Sequence, residues 1–184
     1  KRPQFATVRY KVFSAMEKDE RRAGTIEICS ISKELLKSGI TVLESKEKPK
    51  AKYIEDAEVL VVAGKGIQKE EDLAIIYELA DQLGAMVAST RPLIEAGWTD
   101  PKVQIGLSGR TVKPKLIITC GVSGSVQFIA GMKNSEQIIA INTDPNAPIF
   151  NIANYSVVGD IYEVIPKLLE KLKLEKREKI EVFV

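Results

Sequence analysis

The 184-residue sequence contains no histidine. That absence removes Ser–His and Cys–His nucleophile pairs and most transition-metal sites together. A hydrolase of the usual kind is therefore not expected, nor is a metal centre. Cysteine is scarce too: Cys29 and Cys120 lie far apart and belong to no Cys-x-x-Cys pair. Buried free thiols are the ordinary reading of such a pair, ahead of a disulfide or a metal site. The longest apolar runs are strand-sized, far short of the roughly 20 residues that span a bilayer, so no membrane insertion is expected. No signal-peptide pattern opens the chain. Its first residue is Lys, which fits a processed or excised chain. Neither sign of charge dominates, with 27 Lys and Arg against 25 Asp and Glu. The cations are spread along the chain and leave no basic footprint for nucleic acid.

What is present is ordinary globular material. A chain of this length, 45% hydrophobic and 28% charged, suits one domain, or one domain with an arm, around a sizeable core. Residues 7–13 alternate, with Val8, Tyr10 and Val12 on one face, as a half-buried strand does. Glu17 to Arg22 is a charged break. Thr25 to Ile31 alternates again, and Ile40 to Leu43 gives a third short strand after Ser38-Gly39. Lys46 to Lys52 reads as a linker. Residues 1–55 are thus expected to be a β-rich arm and linker, packing on their own domain or completing another body.

From Ala57 the pattern changes to strand–turn–helix units. Val59 to Ala63 is continuously apolar, as a buried parallel strand is, and ends at Gly64-Lys-Gly66. Leu73, Ile76, Tyr77, Ala80 and Leu83 fall at helical spacing, with Gly84 as the stop. Ala85 to Ala88 is a second strand running into Ser89-Thr-Arg-Pro92. Leu116 to Cys120, Ile138 to Ile141 and Ser156 to Val158 follow as strands. Val164, Ile165, Leu168 and Leu172 mark a final amphipathic helix. The last nine residues alternate, as a strand or a loose tail would. This order predicts an α/β fold, a Rossmann-like doubly wound parallel sheet over 56–184 with an N-terminal β-rich arm. The turns at Gly64–Gly66, Ser89–Arg91, Gly121–Gly124 and Asn142–Asp144 should meet at one edge, where open α/β sheets bind ligands.

The individual motifs leave alternatives open. Gly64-Lys-Gly66 is either a phosphate contact or a tight turn, because the third glycine of a dinucleotide fingerprint is missing. Neither glycine loop has Walker spacing. Arg91 is either a cation for a developing anion or a solvated surface residue. Gly121-Val-Ser-Gly124 offers N–H groups and small side chains to an oxygen-rich ligand, or simply caps a turn. Asn142 and Asp160 are strand-end residues that commonly form turns.

Taken together, these segments resemble the electron transfer flavoprotein alpha subunit. The resemblance rests on Gly121-Val-Ser-Gly-Ser-Val-Gln127, Ala130-Gly-Met132 and Ile139-Ala-Ile-Asn142. It is supported by Gly64-Lys-Gly66, Thr90-Arg-Pro92, Glu95-Ala-Gly-Trp98, Ile105-Gly-Leu-Ser-Gly109, Asp144 to Phe150 and Val158-Gly-Asp160. It is dense from about Ala57 to Leu172, and Pro3 to Arg9 resembles the family's link into this region. It implies the C-terminal FAD-binding domain, with a first domain preceding it and a beta subunit completing a heterodimer. Electrons would arrive from a flavin dehydrogenase, typically of the acyl-CoA dehydrogenase type of fatty acid oxidation, and leave for a quinone-reducing or other acceptor oxidoreductase. No catalytic residue is implied, since the cofactor carries the chemistry. A bacterial or archaeal chain would be cytoplasmic; a eukaryotic one would lie in the mitochondrial matrix.

Carried over by position, Arg91 lies over the flavin ring, with Thr90 and Ser108 near its edge. Ile105, Gly106, Leu107 and Ser108 form the loop lining the ring. Ser123, Gly124, Ser125, Val126, Gln127 and Phe128 run beside the pyrimidine side and the ribityl chain. Asn142, Asp160 and Ile161 reach the adenosine end, and Lys65 also faces the cofactor.

The chain departs from the family pattern at several places. Lys65 stands where arginine is usual, Leu107 for glutamine, Ser125 for alanine and Asn154 for aspartate. Phe128 replaces a histidine that hydrogen-bonds the flavin C2 oxygen. A hydrogen bond to a charged group contributes about 1.5–3 kcal/mol. Losing that donor should lower the flavin's first one-electron potential by on the order of 60–130 mV. The rival readings are a nicotinamide-nucleotide module on a similar sheet and an adaptor domain that has lost its cofactor. The missing third glycine and the match around Gln127 and Asn142 weigh against the first. Leu107 and Phe128 keep the second open.

Overall fold

The computed structural model describes residues 4–7, 16–21, 23–32, 35–36, 38–45 and 53–181, with side chains to residue 175. Residues 13–51 form a unit apart from the body that holds 53–181.

The body is built on five strands: β1 (Val59–Ala63), β2 (Met86–Ser89), β3 (Leu116–Cys120), β4 (Gln137–Asn142) and β5 (Tyr155–Val158). All adjacent pairs are parallel, in the order β2-β1-β3-β4-β5. The inner strands β1, β3 and β4 are mostly apolar because both faces are covered, whereas the edge strand β5 is largely exposed. Leu60, Val62, Ile117, Ile138 and Ala140 pack on one face, and Val61, Ala63, Ile118, Cys120 and Ile141 on the other. Fully burying one such aliphatic side chain stabilises the fold by about 1.5–3 kcal/mol, so this double coverage dominates the energetics.

Four helices complete the body: α1 (Leu73–Leu83), α2 (Arg91–Glu95), α3 (Val126–Met132) and α4 (Ile161–Glu181). The first face carries α3 through Phe128 and Met132, together with Ile105, Val112 and Ile149. The second carries α1 through Leu73, Ile76 and Leu79, and α4 through Ile161, Ile165 and Leu169. Lys173 of α4 reaches Glu78 of α1 at 2.7 Å on the solvent side. Gly84 ends α1 in the left-handed conformation at φ 62°. No helix among the described residues is long and apolar enough to cross a membrane.

This order places a topological switch between β1 and β3. From there the chain winds outward to β2 in one direction and to β4 and β5 in the other. Open sheets bind ligands at such a point because the connections diverge and leave a crevice at the strand ends.

The expected strands of the body are all present, with ends displaced by a residue or two. Two expectations about helix positions change. The last nine residues form neither a strand nor a loose tail through 181, since α4 runs on to Glu181. Its Lys- and Glu-rich final turns have high helix propensity, which prevails over the weak alternation. Tyr77, placed with the apolar face of α1, is half exposed, whereas Leu79 is fully buried.

The arm differs more. Thr25–Ile31 and Ile40–Leu43 form no strand, and Ile26, Ile28, Ile40 and Leu43 are exposed. Alternation shows only that a segment can pair. A strand needs a neighbouring edge to take its N–H and C=O groups, and none is found among the described residues of 13–51. Residues 8–13 and the linker Lys46 to Lys52 lie outside the described residues.

Candidate functional site

The site begins with how the strands end. Gly64 N–H donates to Cys120 O at 2.9 Å, Thr90 N–H to Ala63 O at 3.0 Å, and Gly121 N–H to Ile141 O at 2.9 Å. Gly159 N–H donates to Asn142 O at 3.0 Å. The ladder thus continues one residue beyond β1, β2, β3 and β5, and the connections after the five strands leave the sheet from a common rim. At the switch point the turns after β1 and β3 touch, with Gly66 N–H on Gly121 O at 2.9 Å. A Cβ on Gly121 would lie 2.7 Å from Gly66 Cα, and one on Gly64 would meet the Gly121 carbonyl. Gly64, Gly66 and Gly121 are therefore required by close backbone approach, which a tight turn by itself would not demand.

A cavity of about 970 Å³ opens on this rim. Of the sixteen expected site residues, Lys65, Thr90, Arg91, Ile105, Gly106, Leu107 and Ser108 line it. So do Ser123, Gly124, Ser125, Gln127, Phe128, Asn142, Asp160 and Ile161. Val126 does not. It is 76% exposed, because successive residues of a helix point about 100° apart and the first turn of α3 offers Gln127 and Phe128 to the cavity instead.

Several lining residues were not anticipated. Gly66, Gly121 and Gly159 follow directly from the strand-end rule. Glu95 carried a signal in its i,i+4 spacing from Arg91. Thr143 lies in the Asn142–Asp144 turn that the strand-end rule puts at this edge, whereas Gln68 and Gln104 carried no signal, since nothing local distinguishes a polar residue several positions past a strand.

The side chains fall into two groups by how firmly they are held. Asn142 donates from Nδ2 to Val122 O at 2.8 Å and accepts from Asp144 N–H at 3.0 Å, tying the turns after β3 and β4 together. Asp160 caps α4 by accepting from Tyr162 N–H at 2.9 Å. The Tyr162 hydroxyl donates to Asp72 Oδ2 at 2.6 Å and accepts from Gln68 N–H at 2.9 Å. It locks the segment after β1 against the start of α4. Burial raises the Tyr162 phenol above its ordinary pKa, and the hydrogen bond to Asp72 adds to this.

On the β2 side, Gln104 Nε2 donates to Ser108 Oγ at 2.9 Å, and Leu107 N–H to Gln127 O at 3.0 Å. Arg91 is the first residue of α2 rather than the end of a strand. Its Nε–H meets Glu95 Oε1 at 2.8 Å, and both side chains remain largely exposed. Leu107 is 60% exposed at the cavity. Phe128 is almost fully buried among Ile105, Val112 and Met132, so its ring belongs chiefly to the core and only grazes the cavity.

Both cysteines are free, Cys120 buried and Cys29 exposed, against the expectation of two buried thiols. Burial pushes the Cys120 thiol up to about 12, which leaves it protonated and inert beside the site. No cluster of metal-ligating side chains is found among the described residues.

The cavity crosses the ends of all five strands, four spacings and thus roughly 19 Å. That suits a long, two-part ligand, and the volume lies at the upper end of the ordinary range for ligand cavities. Thr90 supplies an independent test of fit. It lines the cavity and is 8% exposed, and its hydroxyl is buried without a hydrogen-bond partner among the described residues. A buried orphan hydroxyl costs about 1–3 kcal/mol, which a ligand oxygen or nitrogen at this position relieves.

A doubly wound sheet with one elongated cleft over its switch point defines a nucleotide-cofactor-binding domain. Residues 53–133 match the family model described as the electron transfer flavoprotein FAD-binding domain. The chain is 56% identical over 172 residues to the Acetobacterium woodii lactate dehydrogenase (NAD(+),ferredoxin) subunit LctC, covering 94% of this chain and 41% of that one. It is 42% identical over 171 residues to the Bacillus subtilis electron transfer flavoprotein subunit alpha, covering 92% and 52%. To the Azotobacter vinelandii protein FixB it is 41% identical over 179 residues, covering 94% and 48%. Residues 53–133 thus belong to the electron transfer flavoprotein FAD-binding domain family, whose cofactor is FAD. It spans about half the length of the curated relatives it matches.

Proposed function

We infer that this chain is the flavin-holding part of an electron carrier. It takes electrons from a flavin dehydrogenase of the acyl-CoA dehydrogenase type and passes them to a quinone-reducing or other acceptor, as one half of a heterodimer with an electron transfer flavoprotein beta subunit. The observation that carries this reading is the single cleft across all five strand ends, lined by every expected contact residue but Val126. When bound, FAD supplies reversible one- and two-electron chemistry. The protein's part is to hold, orient and tune it. Arg91 and the loop Ile105–Ser108 would bracket the ring. Ser123, Gly124, Ser125 and Gln127 would run beside the pyrimidine side and the ribityl chain, Asn142, Asp160 and Ile161 would reach the adenosine end, and Lys65 would also face the cofactor. A cation a few Å from the ring is worth about 1–4 kcal/mol between bulk-water and surface dielectrics, enough to set a potential.

A carrier fits better than a substrate-converting enzyme. The site has no histidine and an inert thiol, and no convergent acid–base pair is seen among the described lining residues. One relative is named as a dehydrogenase subunit, and an assembly around this carrier could still be catalytic. Residues 13–51 would belong to a first domain, whose sheet would take the pairing that 25–31 and 40–43 lack here. The test is direct. Purified protein should be yellow, release FAD on denaturation, and be reduced by a flavin dehydrogenase with its substrate. Colourless protein that takes up no added FAD would overturn the reading in favour of an adaptor domain, and uptake of NADP instead would support a nicotinamide module.

A further inference from the structure

Arg91 and Glu95 are the first and last residues of α2, one turn apart, and both line the cavity. Their contact is specific in its atoms. Glu95 Oε1 takes the Nε–H of Arg91 at 2.8 Å, and neither terminal amino group of the guanidinium has a partner among the described residues. A guanidinium held at Nε keeps its plane fixed while its terminal N–H groups stay available for another acceptor. Pro92 follows at once and restricts the backbone, so the stem of Arg91 is constrained at both ends. On an open surface such an i,i+4 pair would contribute only a few tenths of a kcal/mol. Here both partners are on a cavity wall, where a bound ligand displaces water and strengthens whatever charges remain. Glu95 also cancels part of the charge that a ligand over Arg91 would feel.

Resting on the reading of this cavity as the FAD site, we propose that Glu95 is a positioning residue for Arg91. It fixes the plane of the guanidinium toward the bound ring and sets how much positive charge the ring experiences. The two roles separate by chemistry. Glu95→Gln keeps an oxygen for the Nε–H but removes the negative charge. Glu95→Ala removes both.

The test uses the FAD-loaded holoprotein, with reduction potentials, the visible spectrum and FAD affinity as readouts. Glu95→Gln should leave the spectrum and affinity unchanged within about twofold. It should shift the one-electron equilibrium three- to tenfold toward the reduced side, roughly 30–60 mV upward. Glu95→Ala should instead lose at least about fivefold in FAD affinity, alter the spectrum, and show a smaller upward shift, because the freed guanidinium no longer holds its charge over the ring. Unchanged potentials in Glu95→Gln, or equal upward shifts with equal affinity in both variants, would overturn the proposal. Failure of the unsubstituted protein to hold FAD would overturn the assignment of the cavity itself, and it is read from the same preparation.

Discussion

The two sides of the cavity are held by different kinds of contact. On the α4 side, Asn142 and Tyr162 form short hydrogen bonds between segments 20 and 94 positions apart, Asp160 caps α4 locally, and each closes a backbone group that water would otherwise have to satisfy. On the β2 side, the charged residues face solvent, and the Arg91–Glu95 pair is local to one turn of helix. One side is a fixed wall and the other an adjustable field. With the cofactor lying as proposed, a rigid hold on the nucleotide portion would supply affinity, and an exposed, charge-bearing side would set the potential and leave the ring reachable. Long-range hydrogen bonds should therefore control stability and retention, and local charges should control redox behaviour.

The largest expected effect comes from breaking the floor that both sides share. In Gly64→Val a side chain would be forced into the Gly121 carbonyl and the Val122 side chain. With no flexible neighbour to yield at the backbone, a loss of about 3 kcal/mol or more is expected. Chemical denaturation should show it, with FAD lost from whatever folds. A variant that kept both its stability and its yellow colour would mean that the two turns are not fixed against each other.

Tyr162→Phe should come next, because it removes both hydrogen bonds that the Tyr162 hydroxyl gives the fixed wall and leaves the ring in place. About 1–3 kcal/mol of stability and roughly tenfold in FAD affinity are expected, with redox potentials unchanged. The difference between the two proteins should also depend on pH. The folded-state pKa of Tyr162 is raised, so its contribution is fully present below the unfolded tyrosine value of about 10 and is lost as pH rises through the folded value. Urea midpoints of the two proteins should converge in strong alkali, and a constant gap across that range would show that the phenol proton has no part in the wall.

On the β2 side, Phe128→His exchanges a core ring for a polar one. Phe128 is 4% exposed, so an imidazole there should cost about 1–3 kcal/mol wherever its second nitrogen lacks a partner. The flavin's first one-electron potential should rise by on the order of 60–130 mV if the donor reaches the ring. A cost in stability without a rise in potential would place this side chain entirely in the core.

The same division governs what could be read without a structure. Strands β1, β3 and β4 were legible because burial on both faces writes a continuous apolar run, and Gly84 marked the end of α1 by its own conformational preference. The strand-end rule then located nearly all of the cavity, since its rim is a direct consequence of parallel topology. The fixed wall was not legible: Tyr162 and Gln68 meet across 94 positions, and no local pattern foretells a contact of that span. The turn expected over Ser89–Arg91 gives way to a helix at Arg91, because β2 closes at Ser89 and Pro92 favours the first turn of a helix. In the arm, Ile26 and Ile28 alternate as a strand would, yet pairing is decided by an edge that lies elsewhere in space.

The smallest effect on folding, and the cleanest test of the division, is Arg91→Ala. Arg91 is 68% exposed and its ion pair is a single local one, so stability should change by no more than about 0.5 kcal/mol. The potential should nevertheless fall, because the cation nearest the proposed ring position is removed. Measured beside Tyr162→Phe, the pair gives a double dissociation: one variant weakens retention at constant potential, the other lowers the potential at nearly constant stability. If Arg91→Ala instead destabilised the protein as much as Tyr162→Phe and left the potential alone, charge on the β2 side would be structural. The tuning of the flavin would then have to come from backbone N–H groups in the turn Val122–Ser125, which no side-chain substitution removes.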